Sequence, residues 1–257
     1  MQNPTAKYSH THTNNTEPKF DIVDKRDVPD RFGRSLTEKR LPAALVMDVS
    51  GSMAGNPIGD LRAAIQKFFE YVKMDPKIAS RTDVCIIAFS SDTEILVDWT
   101  PASEIEFDPS VLVAGGLTQM DDAMTLAMQK IEEKVSEYRT QGIPHGSPFI
   151  FLSSDGEPTQ PIDNSIAMVR SKRERANLLG EKSLKLLAAL VSDSLDEGSR
   201  RKAEQTLASY TGVALSSNGE FDELFSTAFA TLQAMALDDP KEIKVPVSPQ
   251  MRVITLN

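Results

Sequence analysis

Cysteine is almost missing from this chain. The single one, Cys85, sits in the apolar run VCIIAF at residues 84–89. One thiol excludes a disulfide-stapled fold and a cysteine-built metal site, and this one reads as a reduced core group. Histidine is scarce as well, with three in 257 residues. His10 and His12 alternate in a polar N-terminal stretch with no third ligand nearby, so a solvated tail accounts for them. His145 lies in a Gly-Ile-Pro-His-Gly loop, with no nucleophile paired to it. Long apolar runs are absent too. No segment reaches the ~18 residues of a membrane span, and the start, MQNPTAKYSHTHTNN, has no apolar signal region. A Walker-type glycine loop is lacking, which argues against nucleotide hydrolysis. Positive charge is in deficit: 28 basic against 37 acidic residues give a net charge of -9. Nucleic acid and anionic membrane are poor partners for such a surface. The expected location is cytoplasmic.

What is present is a globular composition, 40% apolar, over a length that supports a sizeable core. Residues 1–38 read as a polar arm that wraps the domain, 39–237 as the domain, and 238–257 as an extension. From residue 41 onward short apolar runs alternate with helical periodicity. Strands are expected at 43–48, 83–90, 93–99, 147–153, 184–191 and 213–216, the third of them at an edge. Helices are expected at 57–73, 119–138, 161–179, 199–210 and 220–236. In the first, Leu61, Ile65, Phe68, Phe69 and Val72 recur at three- and four-residue spacing. Residues 244–256 read as a further strand pair or a loose arm. Alternation of this kind predicts an α/β fold: a doubly wound, mostly parallel central sheet with helices on both faces. Met120, Met124 and Met128 read as core filler. Arg170, Lys172, Arg173 and Arg175 form a basic run, read as a solvated helix face.

The most telling stretch is LVMDVSGS, residues 45–52. A buried strand ends on Asp48, and Ser50 and Ser52 follow in a glycine-containing turn. An acid and two alternating hydroxyls at a strand's carboxyl end present oxygen to a hard cation. Ligands in an open parallel sheet bind beyond the carboxyl ends of the strands, where strand order reverses. Two other segments offer oxygens in such positions. The run Ala114-Gly115-Gly116-Leu117 leads to Thr118, and the strand before Ser154 is followed by Asp155. The candidate metal set is therefore Asp48, Ser50, Ser52, Thr118 and Asp155. Plainer readings exist for each part. The first three residues could form a turn that caps the next helix, Thr118 could cap the helix at 119, and Asp155 could be a turn acid. Asp121 and Asp122 read as helix N-terminal charges. Asp193, Asp196 and Glu197 are placed on the rim by topology alone.

These residues resemble a von Willebrand factor A domain. Asp48-Val49-Ser50-Gly51-Ser52 matches the Asp-x-Ser-x-Ser motif of that family's metal-ion-dependent adhesion site. Thr118 matches its later threonine and Asp155 its later aspartate, over roughly residues 40–237. Arg40-Leu41-Pro42, the run from Gly51 to Ile58, and Asp155-Gly156-Glu157-Pro158-Thr159 resemble the bacterial tellurite-resistance (TerY-type) branch. The chain departs from the common pattern in three places. It has Gly-Gly-Leu-Thr for Gly-Gly-Thr, Ser154 for a threonine, and Gln160 where an acid often follows.

The resemblance implies a Mg²⁺ site, with Mn²⁺ or Ca²⁺ as alternatives, that binds and does not catalyse. Serines ligate directly and the aspartates stand back, so the ion stays electrophilic and seeks an anionic oxygen. The implied partner is a protein that donates an Asp or Glu. In the tellurite or chemical-stress and phage-defence setting of that branch it is a kinase or a PP2C-type phosphatase. Two other functions are weighed: an adaptor for an AAA+ ATPase, and a metal-dependent phosphohydrolase with Asp48 as nucleophile. The last would want a second acid where Ser50 stands.

Overall fold

A computed structural model describes residues 29–192, 195–211, 213–217, 221–237 and 251–255. His10, His12 and Asp193 lie outside them, as do most of the arm and of the extension. Seven strands form one sheet in the order β3-β2-β1-β4-β5-β6-β7. They are β1 Leu41–Asp48, β2 Thr82–Phe89, β3 Thr93–Pro101, β4 Phe149–Ser154, β5 Lys185–Val191, β6 Val213–Ser217 and β7 Arg252–Thr255. The five central strands are parallel, and β3 and β7 run antiparallel at the two edges.

Every residue of β1, β2 and β4 is buried. Helices cover both faces of the sheet, which is why these strands read as unbroken apolar runs and not as alternating ones. Leu45 and Met47 of β1 face α1 (Asn56–Met74), α2 (Pro76–Arg81) and α6 (Phe221–Leu237). Ala44 and Val46 face α3 (Met120–Gln141), α4 (Asp163–Leu179) and α5 (Glu197–Thr211). Phe68, Phe151 and Phe225 meet edge to face in the first layer, with ring centroids 5.9 and 5.0 Å apart. Met120, Met124 and Met128 are fully buried in the second. Cys85 is buried and free, and burial pushes its thiol up to about 12.

Two features depart from the sequence reading. The short helix α2 was not expected; Asp75 starts it by accepting from the Lys77 and Ile78 amides at 3.0 and 3.3 Å. The basic run on α4 is only partly a solvated face. Lys172 is buried and pairs with Glu132 at 2.8 Å, and Arg173 donates to the Tyr210 carbonyl at 2.9 Å. The stretch at 29–40 brings two arginines to the amino-terminal ends of β1 and β2. Arg34 pairs with the buried Asp83 at 2.8 Å, and the side chain of Arg40 is fully buried and donates to the Ser35 carbonyl at 2.8 Å. Tyr138 donates a short hydrogen bond to the same Asp83.

Candidate functional site

Strand order reverses between β1 and β4, since β1 leads on to β2 on one side and β4 returns on the other. A crevice opens there beyond the carboxyl ends. Asp48 closes β1 and Ser154 closes β4, on adjacent strands. Asp48 Oδ1 accepts from the Ser50 amide at 2.8 Å, which bends the chain back as an Asx-type turn. Its other oxygen accepts from Ser154 Oγ at 2.6 Å. Ser50 Oγ and Ser52 Oγ are 3.1 Å apart, and Ser52 Oγ donates to Asp155 Oδ1 at 2.9 Å. Four of the five predicted side chains therefore form one connected cluster. Asp48, Ser50, Thr118 and Asp155 are buried, and Ser52 is exposed, so the cluster opens to solvent at Ser52.

Backbone hydrogen bonds bring in the fifth residue. Gly115 N donates to Val49 O at 2.9 Å, and Gly51 N donates to Gly116 O at 3.0 Å. Thr159 N donates to Thr118 O at 3.0 Å. The loop at 114–119 is thus sewn to the turn after β1 on one side and to the loop after β4 on the other. Gly116 has to be glycine. Its φ is +80°, and a Cβ would lie 2.5 Å from Ser91 Oγ. The same hydroxyl accepts from the Leu117 amide at 2.9 Å. Helix α3 begins at Met120 with Gln119 at its N-cap, so Thr118 is not the capping residue.

Burial raises the Asp48 carboxyl to about 6; hydrogen bonds from Ser154 and Ser50 oppose this, and the nearby Asp155 adds to it. Burial also raises Asp155, against the hydrogen bond from Ser52. Among the described residues neither acid forms an ion pair with a basic side chain. Two buried carboxylates without a cationic partner, ringed by hydroxyls, fit a hard divalent cation. No three His, Cys, Asp or Glu side chains gather into a metal cluster among the described residues. The donors here are two carboxylates with neutral hydroxyls, a set suited to Mg²⁺ more than to zinc.

Two contributors escaped the sequence reading as positioning groups. Ser154 fixes Asp48, and Ser91 fixes the loop before Thr118. Ser154 was legible as the hydroxyl just before Asp155; Ser91 carried no signal, because it acts across 26 residues. Asp121 does more than sit in the first turn of α3. It accepts from Ser165 N at 2.9 Å and Ser165 Oγ at 2.6 Å, and so caps α4. Asp196 caps α5 through the Gly198 and Ser199 amides. His145 bridges to Arg40, at the opposite end of the eight-residue β1, and stacks on Tyr138. At ~3.3 Å per residue that puts it roughly 25 Å from Asp48.

A doubly wound sheet with its polar cluster at the switch point defines the class of domain. Within that class, residues 44–204 match the von Willebrand factor type A domain, and the protein belongs to that family. The fold is similar to a von Willebrand factor type A protein from Catenulispora acidiphila, at 10% identity and a TM-score of 0.54 over 77% of this chain and 43% of that one. It is similar to the pilus adhesin SpaC of Lactobacillus rhamnosus GG, at 14% identity and 0.53 over 78% and 30%. It is also similar to proximal thread matrix protein 1 of the mussel byssus, at 11% identity and 0.52 over 85% and 48%. The chain spans less than half the length of each, and at these identities the likeness is one of fold. No curated protein sequence matches the chain. Among the described residues no helix is long and apolar enough to cross a membrane.

Proposed function

We propose that this domain is a Mg²⁺-dependent protein-interaction module which captures an acidic side chain of a partner, and that it is not an enzyme. The observation that carries the reading is the cluster itself: Ser52 Oγ sits 2.9 Å from Asp155 and 3.1 Å from Ser50 Oγ, at the solvent-facing mouth of a buried acid pair with no basic side chain beside it among the described residues. Ser50, Ser52 and Thr118 would hold the ion directly, with Asp48 and Asp155 behind them; Mn²⁺ or Ca²⁺ would fit the same oxygens. When bound, the ion supplies a positive centre that prefers an anionic oxygen. The hydroxyls orient that centre outward, and the buried acids balance its charge without quenching it.

The finer placement belongs to the same reading. The wording of residues 40–42, 51–58 and 155–159 supports the tellurite-resistance branch, a stress-response or phage-defence setting, and a kinase or PP2C-type phosphatase as partner. A buried, unpaired thiol is in keeping with a cytoplasmic location.

The test is calorimetric titration with Mn²⁺ and Mg²⁺, followed by affinity capture from the native host. Wild type should bind one ion and retain a partner only with metal. The Ser50→Ala/Ser52→Ala variant should stay folded and lose both. Partner capture that is indifferent to EDTA would sink the reading.

A further inference from the structure

The segment from Val111 to Leu117 runs beside the cluster and turns three aliphatic side chains to solvent. Val111 is 50%, Val113 68% and Leu117 52% exposed. The backbone under them is fixed. Arg62 clamps the Leu112 carbonyl through Nε at 3.0 Å and Nη2 at 2.6 Å. Leu112 is buried, so the valines on either side of it point out. Gly115 and Gly116 are held to the turn after β1, and the Leu117 amide is held by Ser91. Leu117 precedes Thr118 directly.

The charge carried by the loops of the site is one-sided, and Arg62 of α1 is the basic group held against the strip. The loops that meet at the site, residues 48–58, 90–98, 109–122 and 154–163, contain no lysine or arginine. They do carry Asp92, Glu94, Asp122, Glu157 and Asp163, all exposed. Away from the ion and from Arg62, whose guanidinium is already engaged with the Leu112 carbonyl, a run of acids on a partner would therefore meet repulsion. A lone carboxylate avoids that cost, and aliphatic neighbours would cover the valines and the leucine.

We propose that the partner segment presents a single Asp or Glu flanked by aliphatic side chains, the acid going to the cation site and its neighbours packing on Val113 and Leu117, with Val111 at the margin. This rests on the reading of the site as a cation-held carboxylate receptor. It adds selectivity against acidic runs, which the ion alone would not provide.

A displayed peptide library with a fixed central Asp and random flanks tests it, panned on the folded domain in Mn²⁺ and again in EDTA. Metal-dependent binders should be enriched in Leu, Ile and Val beside the Asp and depleted in further acids. Synthetic peptides with Leu-Asp-Leu and Ser-Asp-Ser centres should then differ by about tenfold in affinity, the effect of burying roughly 60 Å² of apolar surface. In Val113→Ser/Leu117→Ser that ratio should fall towards one, with Mn²⁺ binding and melting temperature retained. Metal-dependent binders without apolar flanks, enrichment of acidic runs, or a ratio unchanged in the double variant would overturn the inference and leave the cation reading standing. Metal-independent binding only, or none, would overturn both.

Discussion

Gly116 carries more of the site than its size suggests. Its left-handed backbone turns the loop so that its carbonyl meets Gly51 N and the next amide meets Ser91 Oγ. Gly116→Ala should destabilise the domain by about 1–3 kcal/mol, combining the backbone penalty with the 2.5 Å approach to Ser91 Oγ. Chemical denaturation gives the number. Adding Ser91→Gly should recover only the part due to the clash, and a double-mutant cycle separates the two. Full recovery would mean that the backbone angle contributes nothing. Of the residues at the site, Asp48, Ser50 and Ser52 were readable because they alternate within one five-residue stretch. Thr118 and Asp155 were readable only once strand ends were taken as places where ligands gather. Ser91 and the capping role of Asp121 were not readable, because each is defined by what it touches across tens of residues.

Among the elements, α4 shows how a helix can depend on a residue outside it. Its first turn is anchored by Asp121 of α3, which also takes Asn164 Nδ2 at 3.1 Å, and Tyr210 of α5 reaches Ser165 Oγ at 2.8 Å. Asp121→Ala removes the acceptor of the Ser165 amide, the Ser165 hydroxyl and Asn164 Nδ2. It should cost about 1–3 kcal/mol, with faster hydrogen exchange confined to the start of α4. Uniformly faster exchange across the domain would contradict that local role. The long helices and the central strands were legible because a 3.6-residue stripe and an unbroken apolar run are each strong one-dimensional signals. Helix α2 was not, since six residues give less than two turns of pattern. How the segment at 29–40 holds to the domain was not legible, for a different reason. Polarity looks like exposure in a sequence, yet Arg40 is buried and Arg34 half-buried, and the Asp83 that Arg34 pairs with lies 49 residues away.

For the whole molecule, the sheet order is what turns scattered oxygens into a site, and it also ties ligand binding to folding. An ion bound only by the native state raises stability by RT ln(1 + [L]/Kd), about 2.7 kcal/mol at a hundredfold excess over Kd. Melting temperature should therefore climb with Mg²⁺ or Mn²⁺ concentration in the wild type. It should stay flat in Ser50→Ala/Ser52→Ala, whose metal-free melting point should lie close to that of the metal-free wild type. A differential scanning measurement in both proteins, with and without EDTA, decides it; an equal rise in the variant would assign the effect to another place on the surface.

Three of the stitches between the loops run main chain to main chain: Gly115 to Val49, Gly51 to Gly116, and Thr159 to Thr118. Given Gly116 and Ser91, those three ties do not depend on which side chains the rest of the loops carry. The hydroxyls and the aliphatic strip beside them can be exchanged like tools in a fixed mount, so mutational drift can retune what the crevice accepts while the crevice itself persists.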